Sequence, residues 1–428
     1  MSRIFESENQ ILHLEIPEDR MSAMLTIHKG NGMIDQNAII DLIQEAGVTN
    51  GFLEATTYLL RNNYEKNYEI PFPIAMCRHE AKEPEITFLF DQAHTYTPGT
   101  PLSKKHTQQW SYVEKGSAVA RFSMETEVGR VFNVHGETIN GAFDMQRIIH
   151  TYEGNNITYD HINKQFVATQ TGYPYRDEDG MLHIASDFVI DEDLTRYYGD
   201  IALAGNLSIR GSVNDGCNIS VLGDLFVSGN VTGSSLRAGG SITIQGLVAD
   251  CNEEGIIAQG DLNLHAAERA KLICRGVAHF EDTLDDCRLI GEKAIKGDPQ
   301  ESRIIGGLSQ SGGSIEIGSA GNGVGIDTEL EVTISPYLKE QMINTMREIF
   351  RQKERPEPNW DIVEQLNKKM QDLEEQLDHE IDRILVGVDQ STLFIKINKK
   401  LYPNTYLRIL KKSYTANEEK ESFTLAEN

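Results

Sequence analysis

Residues 205–231 read GNLSIRGSVNDGCNISVLGDLFVSGNV. Leu207, Val213, Ile219, Leu225 and Val231 recur at intervals of six, and Gly205, Gly211, Gly223 and Gly229 follow the same beat. A helix returns to one face about every 3.6 residues and a strand every two, so neither explains a beat of six. A fixed interval of this kind marks a repeated structural unit. The phrase glycine, polar, aliphatic, any residue, aliphatic occurs as GNLSI at 205, GDLFV at 223, GSITI at 240, GDLNL at 260 and GSIEI at 313. Its first four glycines are 18, 17 and 20 residues apart. Three short sides of six residues would close one such coil.

This pattern predicts a parallel β-solenoid over residues 191–330. Its rung core is expected to be Leu207, Ile209, Val213, Ile219, Val221, Leu225, Val227, Val231, Ile242, Ile244 and Val248. Glycines turn the corners by positive φ or by tight approach, and Asn206, Asn214, Asn218 and Asn230 fill turns. One coil cannot bury its apolar side alone, whereas stacked coils bury it continuously. An antiparallel sandwich would need hairpin turns and gives no reason for the beat. The spacing does not fix the hand of the helix. Between Ile256 and Leu308 the phrases GVAHF and GEKAI repeat poorly.

The flanks differ in kind. Residues 1–190 read as an α+β domain. In it Asp35 caps a helix carrying Ile39, Ile40, Leu42, Ile43 and Ala46, with Gly47 as its stop. A second helix is expected over Leu53 to Tyr64, with strands at EITFLF and SAVARFSM. Residues 331–386 read as an antiparallel coiled-coil hairpin. Its first helix places Leu338, Met342, Met346, Ile349 and Phe350 on one face, and RQKERPEPNW breaks it. The second carries a seam of Val363, Leu366, Met370, Leu373, Leu377, Ile381 and Ile384, proposed as the interaction surface. Residues 387–428 return as strands to the solenoid, followed by a tail.

The net charge is −25, from 65 acidic and 40 basic residues, which disfavours a nucleic-acid partner. The basic run Lys396, Lys399, Lys400, Arg408, Lys411 and Lys412 reads as the solvated face of terminal strands. The first twenty residues carry charges within their apolar run, so no secretory signal and no membrane insertion are expected. Five cysteines without a Cys-x-x-Cys pair fit reduced thiols in a cytoplasm.

The segments EITFLFD (85–91), VEKGSAVAR (113–121), GRVFNVHGETI (129–139), YYGDIALAGNLSIRGSV (197–213) and GVGIDTELEVTISPYLKEQ (323–341) together resemble the flagellar assembly protein A (FapA) family. The resemblance implies a right-handed parallel β-helix similar to the C-terminal domain of the division inhibitor MinC. It further implies a bacterial cytoplasmic protein linked to flagellar assembly or cell-pole organisation.

Chemistry is sparse in the sequence. Asp224 and Asp261 occupy equivalent phrase positions, but Ser241 stands between them, and both read as corner caps. DEDG at 177–180 lacks the liganding Glu of a calcium loop. Cys274, His279 and Cys287 match no standard zinc spacing. GSAGNGVG at 318–325 lacks the Lys-Ser/Thr of a phosphate loop and reads as a hinge between solenoid and coiled coil. No catalytic, cofactor-binding or metal-ligating residue is singled out. The expectation is a non-enzymatic scaffold or adaptor that binds other proteins, flagellar or polar ones included, as a homo-oligomer. The competing readings are a self-assembling structural β-helix and a carbohydrate-active β-helix enzyme.

Overall fold

The computed structural model describes residues 2–30, 36–54, 69–78, 84–102, 107–123, 130–139, 144–251, 254–387 and 392–426, without the side chains of 383–387. The chain divides into two compact units. The first comprises Met1–Phe90, Ala118–Val167 and Asp177–Leu182; the second comprises Asp91–Ser117, Ala168–Arg176 and His183–Asn428.

In the first unit, strands Arg3–Glu6, Leu12–Ile16, Ser22–Ile27 and Phe72–Met76 pair antiparallel in that order. Their inward side chains Leu14, Leu25 and Ile74 share a core with Ile39, Leu42 and Ile43 of helix α1 (Gln36–Glu45). Ile40, expected on the apolar face, points to solvent. Gly47 ends the helix region with a φ of 69°. The cap at Asp35 and most of the helix expected at 53–64 lie outside the described residues. A second sheet contains the EITFLF and SAVARFSM strands, as Ile86–Phe88 and Ala118–Phe122. Helix α2 (Met145–Tyr152) starts on Asp144, whose side chain accepts from the N–H of Gln146 and Arg147.

The second unit is a parallel solenoid. On its first side Leu207, Leu225, Ile242 and Leu262 stack in register, rung on rung. The second side stacks Leu194, Val213, Val231, Val248, Ala267, Leu284 and Ile304. The third stacks Ile201, Ile219, Leu236, Ile256, Leu272 and Leu289. The beat of six is the step from one side to the next. Leu207, Ile209, Val213, Ile219, Val221, Leu225, Val227, Val231, Ile242, Ile244 and Val248 all lie in this core, none more than 2% exposed.

The corners explain the glycines. The N–H of Gly223 donates to the Gly205 carbonyl at 2.9 Å, Gly240 to Gly223 at 2.9 Å, Gly260 to Gly240 at 2.8 Å and Gly276 to Gly260 at 2.9 Å. A Cβ on Gly223 would sit 2.8 Å from the Gly205 oxygen and collide with Oδ1 of Asn206. Close approach, not positive φ, selects glycine at 223, 240, 260 and 276. The next residue of each rung bridges by its side chain. Asn206 Oδ1 accepts from Asp224 N at 2.8 Å, Asp224 Oδ1 from Ser241 N at 2.6 Å, Ser241 Oγ from Asp261 N at 3.1 Å and Asp261 Oδ1 from Val277 N at 2.8 Å. A parallel rung has no hairpin partner for its corner amides, and these side chains satisfy them.

Several boundaries differ from the sequence reading. The first rung strand, Asp187–Ile190, precedes residue 191 and pairs in parallel with Asn206–Ile209. Residues 91–117 and 168–176 group with the solenoid and bring Tyr96, Trp110 and Tyr173 onto its first rung. Tyr96 lies 5.6 Å from Phe188 and Tyr173 5.8 Å from it, ring centre to ring centre. Buried Tyr173 Oη accepts from the N–H of Ala204 at 2.9 Å. The region of poor repetition is regular: Val277–Phe280 and Ala294–Gly297 are rungs of the first side. Phe280 pairs with Gly297, where a Cβ would stand 2.7 Å from the Phe280 ring, so a large residue occupies space that its small neighbour leaves.

At the other end Lys412–Ala416 and Phe423–Ala426 run antiparallel to the last parallel strands, Thr405–Ile409 and Phe394–Leu401. Among the described residues no helix is long and apolar enough to cross a membrane.

Ile242→Asp would put an unpaired charge into this stack at a cost of several kcal/mol. Gly223→Ala should also lower the melting midpoint, measured by circular dichroism, because backbone must shift to admit the methyl. Gly323→Ala, with nothing within 4 Å of the added carbon, should leave it near the wild-type value. Unchanged midpoints for the first two variants would contradict the stacking register.

Candidate functional site: a helix pair mounted on the solenoid

Between the third-side strand Thr328–Val332 and the first-side strand Phe394–Leu401 the chain leaves the coil to form α3 (Pro336–Lys353) and α4 (Trp360–Gly387). The exit is Thr333–Ser335. The Gly-rich 318–325 stretch, expected as the hinge, instead ends strand Ser314–Ala320 and forms a loop inside the coil, with Asn322 Oδ1 accepting from Gly325 N at 3.0 Å.

Pro336 suits the first helical position because its missing N–H needs no partner there. The next amide, Tyr337 N–H, donates to Glu292 Oε2 at 2.8 Å. Glu292 thus caps α3 from the coil, and burial pushes its carboxyl above the usual range while the Tyr337 N–H, Ser335 and Arg275 oppose the shift. The Tyr337 ring covers Ile273 and Ile290, with Ile257 beside them. These three isoleucines stack at outward positions of the third side, where a solvated strand would carry polar residues. An outward aliphatic repeated on three rungs is the sequence signal for a covering element.

One turn further, Glu340 is 3% exposed and receives Lys271 Nζ at 2.9 Å and Arg288 Nη2 at 2.5 Å, both from the solenoid. A buried carboxylate held by two cations fixes geometry, since loss of either partner strands a charge. Nearby, Lys339 Nζ donates to Thr333 Oγ1 at 2.7 Å, and Glu331 accepts from Gln310 at 2.7 Å and from Arg408. Burial lowers the Lys339 pKa.

This docking overturns the apolar face expected for α3. Of Leu338, Met342, Met346, Ile349 and Phe350, only Ile349 is buried. Tyr337, Glu340 and Thr345 are buried instead, because the solenoid presents cations as well as isoleucines. On α4, Val363 and Leu373 are buried, Leu366, Met370, Leu377 and Ile381 are half-buried, and the Ile384 side chain lies outside the described residues. Near the turn joining the helices, Met346 is 50%, Phe350 58% and Trp360 65% exposed, with Ile343 and Ile362 beside them in sequence on the same helices.

The other sequence candidates do not converge. Asp224 and Asp261 serve the corner ladder described above. Cys274 and Cys287 face the core, where burial pushes their thiols up to about 12 and about 11, while His279 on the intervening strand is exposed. Asp177 closes its own turn by accepting from Met181 N at 2.8 Å. In the basic run, Lys396 meets Glu316 at 2.7 Å, Lys400 meets Glu419 at 2.5 Å and Arg408 meets Glu331.

The raised carboxyl of Glu292 carries a definite pH sign. A folded pKa above the unfolded value means the folded state binds the proton more tightly, so this group adds stability as pH falls toward its unfolded pKa. Glu292→Gln keeps an acceptor for Tyr337 without the buried charge. It should melt higher than wild type near neutral pH, and the gap should close as pH falls through the carboxylate range. A pH-independent gap in the thermal midpoints would contradict this.

Residues 186–361 match a family model described as "Flagellar Assembly Protein A beta solenoid domain". Searches of curated proteins and of solved structures return no match. The matched stretch opens at the first stacked strand and closes where α4 begins, so the segment that forms these rungs and mounts α3 is similar to a Flagellar Assembly Protein A beta solenoid domain.

Proposed function

We propose that this protein is a non-enzymatic scaffold for other proteins in bacterial flagellar assembly or cell-pole organisation. It would act in the cytoplasm as a homo-oligomer, with a right-handed solenoid and α3 and α4 forming an antiparallel coiled-coil hairpin. The domain family supports the link to flagellar assembly. The observation that carries the scaffold reading is the helix pair itself. Its base is pinned by Glu292, Tyr337 and Glu340, while Met346, Phe350 and Trp360 are left in solvent near its turn. Large apolar side chains grouped on a rigidly held element mark an interaction surface. Val363 and Leu373, buried on α4, stiffen the hairpin. The self-assembling alternative is less favoured, because antiparallel strands end the stack at the C-terminal side and aromatic rings cover its first rung.

Deleting the hairpin would uncover Ile257, Ile273 and Ile290, so point substitution is the sharper test. Met346→Ser, Phe350→Ser and Trp360→Ser together should leave the β-sheet circular dichroism signal and the melting midpoint near wild type. They should reduce the oligomer mass seen by light scattering, or remove partners recovered by tagged pull-down from native cells. An unchanged mass together with unchanged partners would contradict the proposal.

A further inference from the structure

We propose that the cleft between α3, α4 and the third side of the solenoid binds a small polyanion carrying two or more phosphoryl groups. This is a ligand site separate from the apolar turn region. The cleft encloses about 970 Å³, within the range of small-molecule sites. Six cations line it: Arg237, Lys271 and Arg288 from the rungs, and Arg347, Arg351 and Lys369 from the helices. Three carboxylates, Glu254, Glu340 and Glu348, face them. An excess of positive charge thus gathers in a chain whose net charge is −25.

The arrangement works against the protein's own stability. Lys271 and Arg288 stand directly opposite one another on adjacent rungs, where like charges repel. Arg347 and Arg351 stand four apart on one helix, which is also unfavourable. The acids relieve only part of this. Glu340 serves two cations at once, Glu254 meets Arg237 at 3.3 Å, and Glu348 stands 3.8 Å from Arg351. Among the described residues Arg347 and Lys369 carry no ion pair, and the buried Nε of Arg288 has no hydrogen-bond partner. A multivalent anion in the cleft would pair with Arg347 and Lys369, both exposed.

The lining also states a chemistry. Guanidinium forks match phosphoryl oxygens two at a time and are weakly hydrated, so they bind such groups better than they bind chloride. Half-buried Ile257 and Leu366 add apolar surface suited to the body of a nucleotide-sized ligand. A second cleft, of about 930 Å³, also touches Tyr337 but has the opposite character, with Glu292, Asp372, Glu375 and Glu380 against Arg275 and Lys293. Cation enrichment is therefore a property of one cleft and not of the helix pair as a whole.

Calorimetric titration of the full chain with pyrophosphate and with ATP, in chelator and at low salt, tests the site. Saturable binding at one site per chain is expected, weakening as salt screens the charges. Arg347→Ala with Lys369→Ala, both exposed positions, should weaken it about tenfold or more, since each removes a charge-assisted contact. Lys353→Ala with Arg355→Ala removes equal charge outside the cleft and should leave affinity unchanged. Circular dichroism melts confirm that both double variants fold. Absence of saturable binding, or equal weakening in both double variants, would overturn the proposal. Binding of a polyglutamate peptide without binding of pyrophosphate would also overturn it, assigning the cleft to an acidic protein segment.

Discussion

From Gly205 to Gly276, successive coils of the solenoid meet backbone to backbone at a glycine corner. A parallel rung forms its hydrogen bonds only with the coils before and after it, so the spacing between coils must hold at the turns as well as along the sides. At Gly205, Gly223, Gly240, Gly260 and Gly276 the chains approach until the amide of one bonds the carbonyl of the last. A single Cβ there would push the rungs apart, and the inward Leu, Ile and Val side chains would lose contact along the stack. The side chains of Asn206, Asp224, Ser241 and Asp261 tie off the remaining corner amides. Corner and core are thus one device: the corner sets the spacing that the core needs.

This device produces a rigid, regular surface, and the protein uses one part of it as a mount. Outward Ile257, Ile273 and Ile290 form an apolar strip that Tyr337 covers, and the neighbouring cations Lys271 and Arg288 draw in Glu340. The helix pair is therefore held by its first turns. Its later surface is free to carry both the exposed aromatics near the turn and the cationic cleft along the rungs. Because each rung contacts only its neighbours, an insertion at a corner leaves the rest of the stack undisturbed.

The sequence pattern was most legible where inward residues are large and alike. From Leu207 to Leu264 the aliphatic pairs and the glycine column announce the coils without help. The pattern fades at Phe280 and Gly297 because adjacent rungs share one volume unequally, and a period search sees neither as a match. The aromatic cover on the first rung was invisible, since Tyr96, Trp110 and Tyr173 come from segments remote in sequence. The buried face of α3 was misread for a physical reason. Apolar periodicity assumes an apolar neighbour, whereas this helix packs against cations that bury Glu340 and leave Met346 and Phe350 in water. The cleft has the same origin: Arg237, Arg288 and Arg347 are distant along the chain and meet only when rungs stack and α3 docks.

Hydrogen exchange read by mass spectrometry on peptides spanning Gly223, Gly240 and Gly260 tests the corner account most directly. If corner contact sets the rung spacing, these amides exchange only when the solenoid opens, as slowly as those of Leu225, Ile242 and Leu262 beside them. Fast exchange at the glycine corners, with the neighbouring strands still protected, would show that the sides hold the stack without them.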